Sequence, residues 1–128
     1  MPEPTLNLLW LQSGGCGGCS MSLLCEDTSD FYARMRQAGV NLLWHPALSM
    51  ETGHEALEVI EDCLSGRTPL HVLCIEGAVL RGPDGTGGFH MMSGTNQSML
   101  QWIDRLCKVA QHVLAIGSCA AFGGIPAP

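Results

Sequence analysis

The sequence predicts an α/β fold, an open parallel sheet with helices on both faces. Four short apolar runs, at 6–11, 40–45, 70–76 and 112–118, are too continuous to leave one face to water and read as buried strands. Stretches of helical period lie between them, so each strand is joined to the next by the crossover that a parallel sheet requires.

The first strand, LNLLWL at 6–11, runs into the turn SGGCGGC at 13–19. Ser20 is placed to cap a helix leaving that turn, which falters at DTSD, 27–30. That quartet can itself cap a segment over 31–37, closed by Gly39. VNLLWH, 40–45, is the second strand, stopped by Pro46. Over 55–64, Ala56, Ile60 and Cys63 share one helical face, while Glu55, Glu58, Glu61 and Asp62 mostly take the other; Gly66 ends the helix. LHVLCIE, 70–76, is the third strand, followed by a glycine-rich loop over 77–94 that carries Arg81, Pro83 and His90. Helical spacing returns over 96–110, with Met99, Ile103, Leu106 and Ala110 on one stripe. HVLAIGS, 112–118, is the fourth strand and leads into CAAFGGIPAP. With no internal repeat or linker, 1–128 reads as one domain.

Hydrophobic residues make up 46% of the chain and charged ones only 14%, which marks a globular protein rather than a disordered one. So little charge, with 16 glycines, implies that a partner or cofactor covers part of the surface. The net charge of -6, without any Lys/Arg cluster, argues against nucleic acid or an anionic membrane as the main partner. No apolar run approaches the roughly 20 residues of a transmembrane segment. Met1-Pro2-Glu3-Pro4 lacks the basic start of a signal peptide, so the expected compartment is the cytoplasm. Seven cysteines, an odd number, then point to metal or redox chemistry rather than a disulfide frame.

In open sheets of this kind ligands sit beyond the carboxyl ends of the strands. Cys16 and Cys19 follow the first strand, Glu76 ends the third and Cys119 follows the fourth, so all converge on one edge. A C-x-x-C turn brings two thiols to one side. Gly14, Gly15, Gly17 and Gly18 are free to take positive φ, and their amides can form a nest for an anionic centre, with Gly15 and Gly18 beside the bound group. Cys119 would be a third ligand. This spacing leaves an iron–sulfur cluster, a redox dithiol and a zinc site open. A thioredoxin-type pair would lack the double glycines, and a closed zinc site would bring a second C-x-x-C or a His pair. A phosphate loop would show G-K-S/T or G-x-G-x-x-G. Cys25, Cys63, Cys74 and Cys107 read as small apolar side chains on helix faces or in strands, Cys25 being nearest the site. None of the histidines pairs as a ligand would; His90, in the glycine loop, is the one placed to act. Glu76, at a strand end beside Gly77, suits proton handling.

Three blocks, LLWLQSGGCGGCSMSLL at 8–24, LCIEGAVLRGPDGTGGFH at 73–90 and AIGSCAAFGGIPA at 115–127, together resemble the N-terminal domain of the small subunit of nickel–iron hydrogenases. The wording is most similar to the cytoplasmic group of uptake and regulatory, hydrogen-sensing enzymes. The resemblance implies a flavodoxin-like domain that holds the proximal iron–sulfur cluster. It also implies an obligate large-subunit partner that carries the nickel–iron centre with its cyanide and carbonyl ligands. On this basis Cys16, Cys19 and Cys119 match the first three proximal-cluster ligands, and Glu76 matches the glutamate of an E-G strand end close to proposed proton routes. Trp10, Gly77 and Phe122 would line the subunit interface. H2 would be split in the partner and its electrons accepted here, or, in a sensing enzyme, the event signalled to a partner kinase.

A quinone-reductase subunit of the respiratory complex I type, on a related fold, would instead show adjacent cysteines at the first position. A stand-alone flavodoxin-like redox protein would bind flavin. Two departures from the hydrogenase pattern bear on function. Met21 stands where many members have glutamate, and Gly18 and Gly124 stand where the oxygen-tolerant membrane-bound group has extra cysteines. The fourth proximal ligand and the domain binding further clusters do not occur within 1–128. The sequence is therefore expected to be a piece of a longer subunit, cut after its fourth strand. Taken alone it is expected to hold a three-iron (3Fe-4S) cluster or a 4Fe-4S cubane completed by an outside ligand.

Overall fold

Apolar runs and helical periods order the chain as β1 (Leu6–Gln12), α1 (Gly18–Leu24), α2 (Phe31–Gln37), β2 (Val40–Trp44), α3 (His54–Ser65), β3 (Val72–Glu76), α4 (Met99–Val109), β4 (His112–Ile116) and α5 (Gly117–Phe122). The structure is a computed structural model describing residues 6–25, 31–46, 48–92 and 95–123. The quartet 27–30 and Gly124 lie outside the described residues.

All three strand pairings are parallel, in the order β2-β1-β3-β4. The chain leaves β1 toward β2 on one side and places β3 on the other, so the order reverses between β1 and β3. That reversal opens the crevice where doubly wound sheets bind their ligands. Leu9, Leu11, Leu73 and Ile75 point to one face, where they pack against Ile60 and Cys63 of α3 and Met99, Trp102, Ile103 and Leu106 of α4. Full burial of such a side chain contributes about 1.5–3 kcal/mol. The opposite face is thinner: Leu8, Trp10 and Cys74, with Met35 of α2 and Ile116 beside them.

The α3 stripe of Ala56, Ile60 and Cys63 is buried as its period requires, and Gly66 closes the helix at φ 83°. In α4 the stripe gains Trp102, and the helix begins later than 96 because Ser98 and Gln101 form a capping box. Three expectations are corrected. Ser20 does not cap α1; Gly17, at φ 76°, precedes the helix and Ser20 lies inside it. The fourth strand ends at Ile116, since Gly117 at φ 81° turns the chain into α5. Burial on both faces holds for the centre of β1 and β3 but not for β4, whose residues are largely exposed, Ile116 alone among them packing against a core cluster.

Candidate functional site at the carboxyl edge of the sheet

Gln12 pairs with Glu76, and Glu76 with Ile116, so β1, β3 and β4 end level and their loops start from a common line. The Ser13 N–H donates to the Glu76 carbonyl at 2.7 Å, and Gly14 and Ala78 exchange backbone hydrogen bonds of 2.8 and 2.9 Å. This lacing pulls the cysteine turn onto the chain leaving β3. A Cβ on Gly77 would stand 3.0 Å from backbone atoms of Ser13, Gly14 and Gly15, so only glycine allows the approach. Of the four turn glycines Gly17 alone has positive φ. The expectation of positive φ at Gly14, Gly15 and Gly18 is thus corrected. Gly15 is bare because Gly77 presses on it, and Gly18 because the Cys16 sulfur lies 3.1 Å from where its Cβ would be.

Cys16 is exposed, Cys19 and Cys119 are half-buried, and all three thiols are free. The Gly18 N–H donates to Cys16 Sγ at 3.3 Å. A side chain on Gly117 would fall on the sulfur of Cys19. The C-x-x-C turn is therefore seated against the first residue of α5, the helix that carries Cys119. Cys119 also opens onto a depression of about 650 Å³ walled by Leu80, Arg81, Phe89 and Phe122. Among the described residues, no three His, Cys, Asp or Glu side chains converge tightly enough to grip one metal ion.

The remaining cysteines divide. Cys63 and Cys74 are buried, and burial, joined for Cys63 by the charge of Asp62, pushes each thiol up to about 11, which keeps it protonated and inert. Cys25 and Cys107 are exposed, against the expectation of apolar packing: Cys25 caps the end of α1, and Cys107 lies off the buried stripe of α4.

Glu76 is fully enclosed. Its Oε1 accepts from Ser20 Oγ at 2.5 Å, Trp10 Nε1 at 3.2 Å and Gln12 Nε2 at 3.3 Å, and its Oε2 accepts from the Ser20 N–H at 3.4 Å. Burial pushes the carboxyl up, but the hydrogen bonds from Ser20, Gln12 and Trp10 outweigh it and leave the group below its ordinary value. Trp10, expected at a subunit interface, is instead buried under this carboxylate, and Gly77 is buried as well; Phe122 is exposed.

Sequence reasoning passed over His45, the first residue after β2, which is buried with its Nε2 3.0 Å from Ser20 Oγ. The available signal was its position: it follows a strand on the same edge as Glu76. Burial holds its imidazole below the usual histidine range, against the pull of the Glu76 charge. His90, singled out from the sequence, stands 3.4 Å from Ser13 Oγ at the wall of a cavity of about 410 Å³ shared with Leu11, Trp44 and Met99.

Residues 16–128 match the family model described as NADH ubiquinone oxidoreductase, 20 Kd subunit. The chain belongs to this family. Among its relatives, the F420 non-reducing hydrogenase II small subunit of Methanosarcina mazei is 29% identical over 92% of this chain and 33% of its own length. The periplasmic NiFeSe hydrogenase small subunit of Desulfomicrobium baculatum is 28% identical over 94% of this chain and 40% of its own. In structure, the recombinant NiFeSe hydrogenase from Desulfovibrio vulgaris Hildenborough superposes with a TM-score of 0.81 at 31% identity, covering 96% of this chain and 44% of that one. Within the family the likeness is thus to hydrogenase small subunits, and the chain spans between a third and two-fifths of these two curated relatives. The flavodoxin-like parallel architecture expected from the sequence is the one observed. Among the described residues no helix is long and apolar enough to cross a membrane.

Proposed function

We propose that this chain is the electron-transfer part of a nickel–iron hydrogenase small subunit, with Cys16, Cys19 and Cys119 as thiolate ligands of an iron–sulfur cluster. The supporting observation is the seating of the Cys19 sulfur against Gly117, which draws the turn bearing two thiols onto the helix bearing the third. Such a cluster, when bound, accepts and passes on single electrons. The chain's own residues supply thiolates, backbone amides from the glycine turn, and a dry floor formed by Trp10 and Glu76. A large-subunit partner holding the nickel–iron centre would split H2, and the exposed Phe89 and Phe122 beside Cys119 suit burial against it. Within this reading the compartment is the cytoplasm, which cell fractionation tests. The family model is described as a quinone oxidoreductase subunit, but the separated pair Cys16 and Cys19 disfavours that branch.

The test is anaerobic purification with any partner, followed by iron, nickel and sulfide analysis and electron paramagnetic resonance. The expected result is iron and sulfide in this chain, nickel in a larger co-purifying one, and loss of the iron–sulfur signal in Cys16→Ala and Cys119→Ala. Zinc in place of iron, or signals untouched by both substitutions, would sink the reading. Turnover with a dye acceptor marks an electron-transferring uptake enzyme; a bound histidine kinase with feeble turnover marks a hydrogen sensor.

A further inference from the structure

Behind the cysteine turn runs a line of three buried polar side chains that thiolate ligation does not use. His45 is 1% exposed, and Ser20 and Glu76 are each 3% exposed. They come from three places in the chain: the residue after β2, the first turn of α1, and the last residue of β3. The order of protons along the line follows from counting. A serine hydroxyl has one proton to give. Glu76 Oε1, only 2.5 Å away, takes it. At the 3.0 Å contact between Ser20 Oγ and His45 Nε2 the hydroxyl is therefore the acceptor, and the imidazole must donate. Gln12 Nε2 also approaches Ser20 Oγ, at 3.4 Å, and an amide NH2 can only donate there, which agrees with the same order.

Two further contacts hold the line in place. Trp10 lies with its ring 5.0 Å from the His45 ring, tilted by 43°, while its indole N–H donates to Glu76 Oε1. The His45 backbone N–H donates to Ser49 Oγ at 2.8 Å, and its carbonyl accepts from the Leu48 and Ser49 N–H groups at 3.3 and 3.0 Å. The histidine is thus held by its main-chain hydrogen bonds and by the Trp10 ring.

We propose that His45 is a positioning residue: by donating Nε2–H to Ser20 it commits the serine hydroxyl to Glu76, so that this carboxylate grips both the Oγ–H and the backbone N–H of Ser20 and fixes the first turn of α1. Cys19 is the neighbour of Ser20 in that turn. The unit sets where the Cys19 sulfur stands relative to the sheet, and it does so with the chain's own groups, whatever centre the cysteines hold. The inference goes beyond the electron-transfer reading and does not depend on it.

The purified protein, labelled uniformly with 15N, tests this through the ring nitrogens of His45, whose tautomers are spectroscopically distinct. The expected signature is a neutral Nε2–H tautomer with a slowly exchanging proton. That proton is lost to rapid exchange in Ser20→Ala and retained in Ser20→Thr, which keeps the hydroxyl. His45→Phe, which keeps a ring against Trp10 but gives no proton, is expected to shift the Trp10 indole N–H and Cys19 amide resonances. His45→Gln, which restores a donor, brings them back toward wild type. An Nδ1–H tautomer in the wild type overturns the proposal, as does equal behaviour of the Ala and Thr variants. Equal behaviour of the Phe and Gln variants, with the amide spectrum showing both folded, overturns it too. Iron and sulfide measured on the same samples report on the cluster separately, so absence of iron would undo the electron-transfer reading and leave the tautomer result standing.

Discussion

Gly117 is the residue on which the geometry of the thiols turns. Its φ of 81° belongs to the left-handed region, and a Cβ there would meet the Cys19 sulfur. Gly117→Ala must therefore strain the backbone and displace a thiol together. The backbone part alone is expected to cost about 1–3 kcal/mol, read as a fall in the urea midpoint. The displaced sulfur is expected to lower iron content per chain. Stability and iron content both at the wild-type level would show that the close seating is dispensable. The buried acid–base pair makes a second residue-scale prediction. Glu76 is held below its ordinary 4.5, so the unfolded chain takes up this proton first and stability falls as pH drops below about 4.5. His45 is held below its ordinary 6.5, so the unfolded chain also binds that proton first, and loss begins already as pH drops below 6.5. Urea titrations between pH 7 and pH 4 should show stability declining over both intervals. His45→Gln should flatten the upper one, and an unchanged slope there would assign the loss to other groups.

At the scale of elements, periodicity carried far, and it failed where a tertiary partner outweighed a local signal. The stripes of α3 and α4 were legible because each helix buries one face, and the apolar runs of β1 and β3 were legible because both strands are covered on both sides. Ser20 looked like a cap because serine before a helix often is one. Its hydroxyl belongs to Glu76, 56 residues away, and no local pattern reveals that. Cys25 and Cys107 were misread for a related reason: spacing names a face but not what covers it. At the site, the strand-end rule brought Cys16, Cys19, Glu76 and Cys119 to one edge, and it applies equally to His45, which the sequence places at the end of the second strand. Ser98 is a cap that the helical spacing over 96–110 did not single out. Its Oγ accepts from the Gln101 N–H at 3.2 Å, and the Ser98 N–H donates to Gln101 Oε1 at 3.2 Å. Ser98→Ala is expected to cost about 0.5–2 kcal/mol, measured by urea unfolding.

Across the described residues, part of the exposed apolar surface lies on β4. Among the described residues β4 pairs only with β3, so one side of it presents backbone donors and acceptors. Its side chains compound this, since Val113 is 45% and Leu114 49% exposed, on opposite faces of the strand. An uncovered edge with apolar side chains is a template for pairing with another chain. The net charge of -6 opposes association only weakly at physiological ionic strength, where repulsion fades over about 8 Å. The chain, purified without a partner, is therefore expected to associate as its concentration rises, seen by light scattering and by binding of an apolar dye. Val113→Lys and Leu114→Lys put a charge on each face of the edge, and each should reduce association while leaving the far-ultraviolet circular dichroism unchanged. Phe122→Ser serves as the contrast, because Phe122 lies beside Cys119, on α5 rather than on the strand, and is exposed in its own right. Association abolished by Phe122→Ser and indifferent to both lysines would mean that the chain meets its neighbours through the cysteine-bearing face. Relief by either lysine, with Phe122→Ser inert, would mean that association runs through the β4 edge.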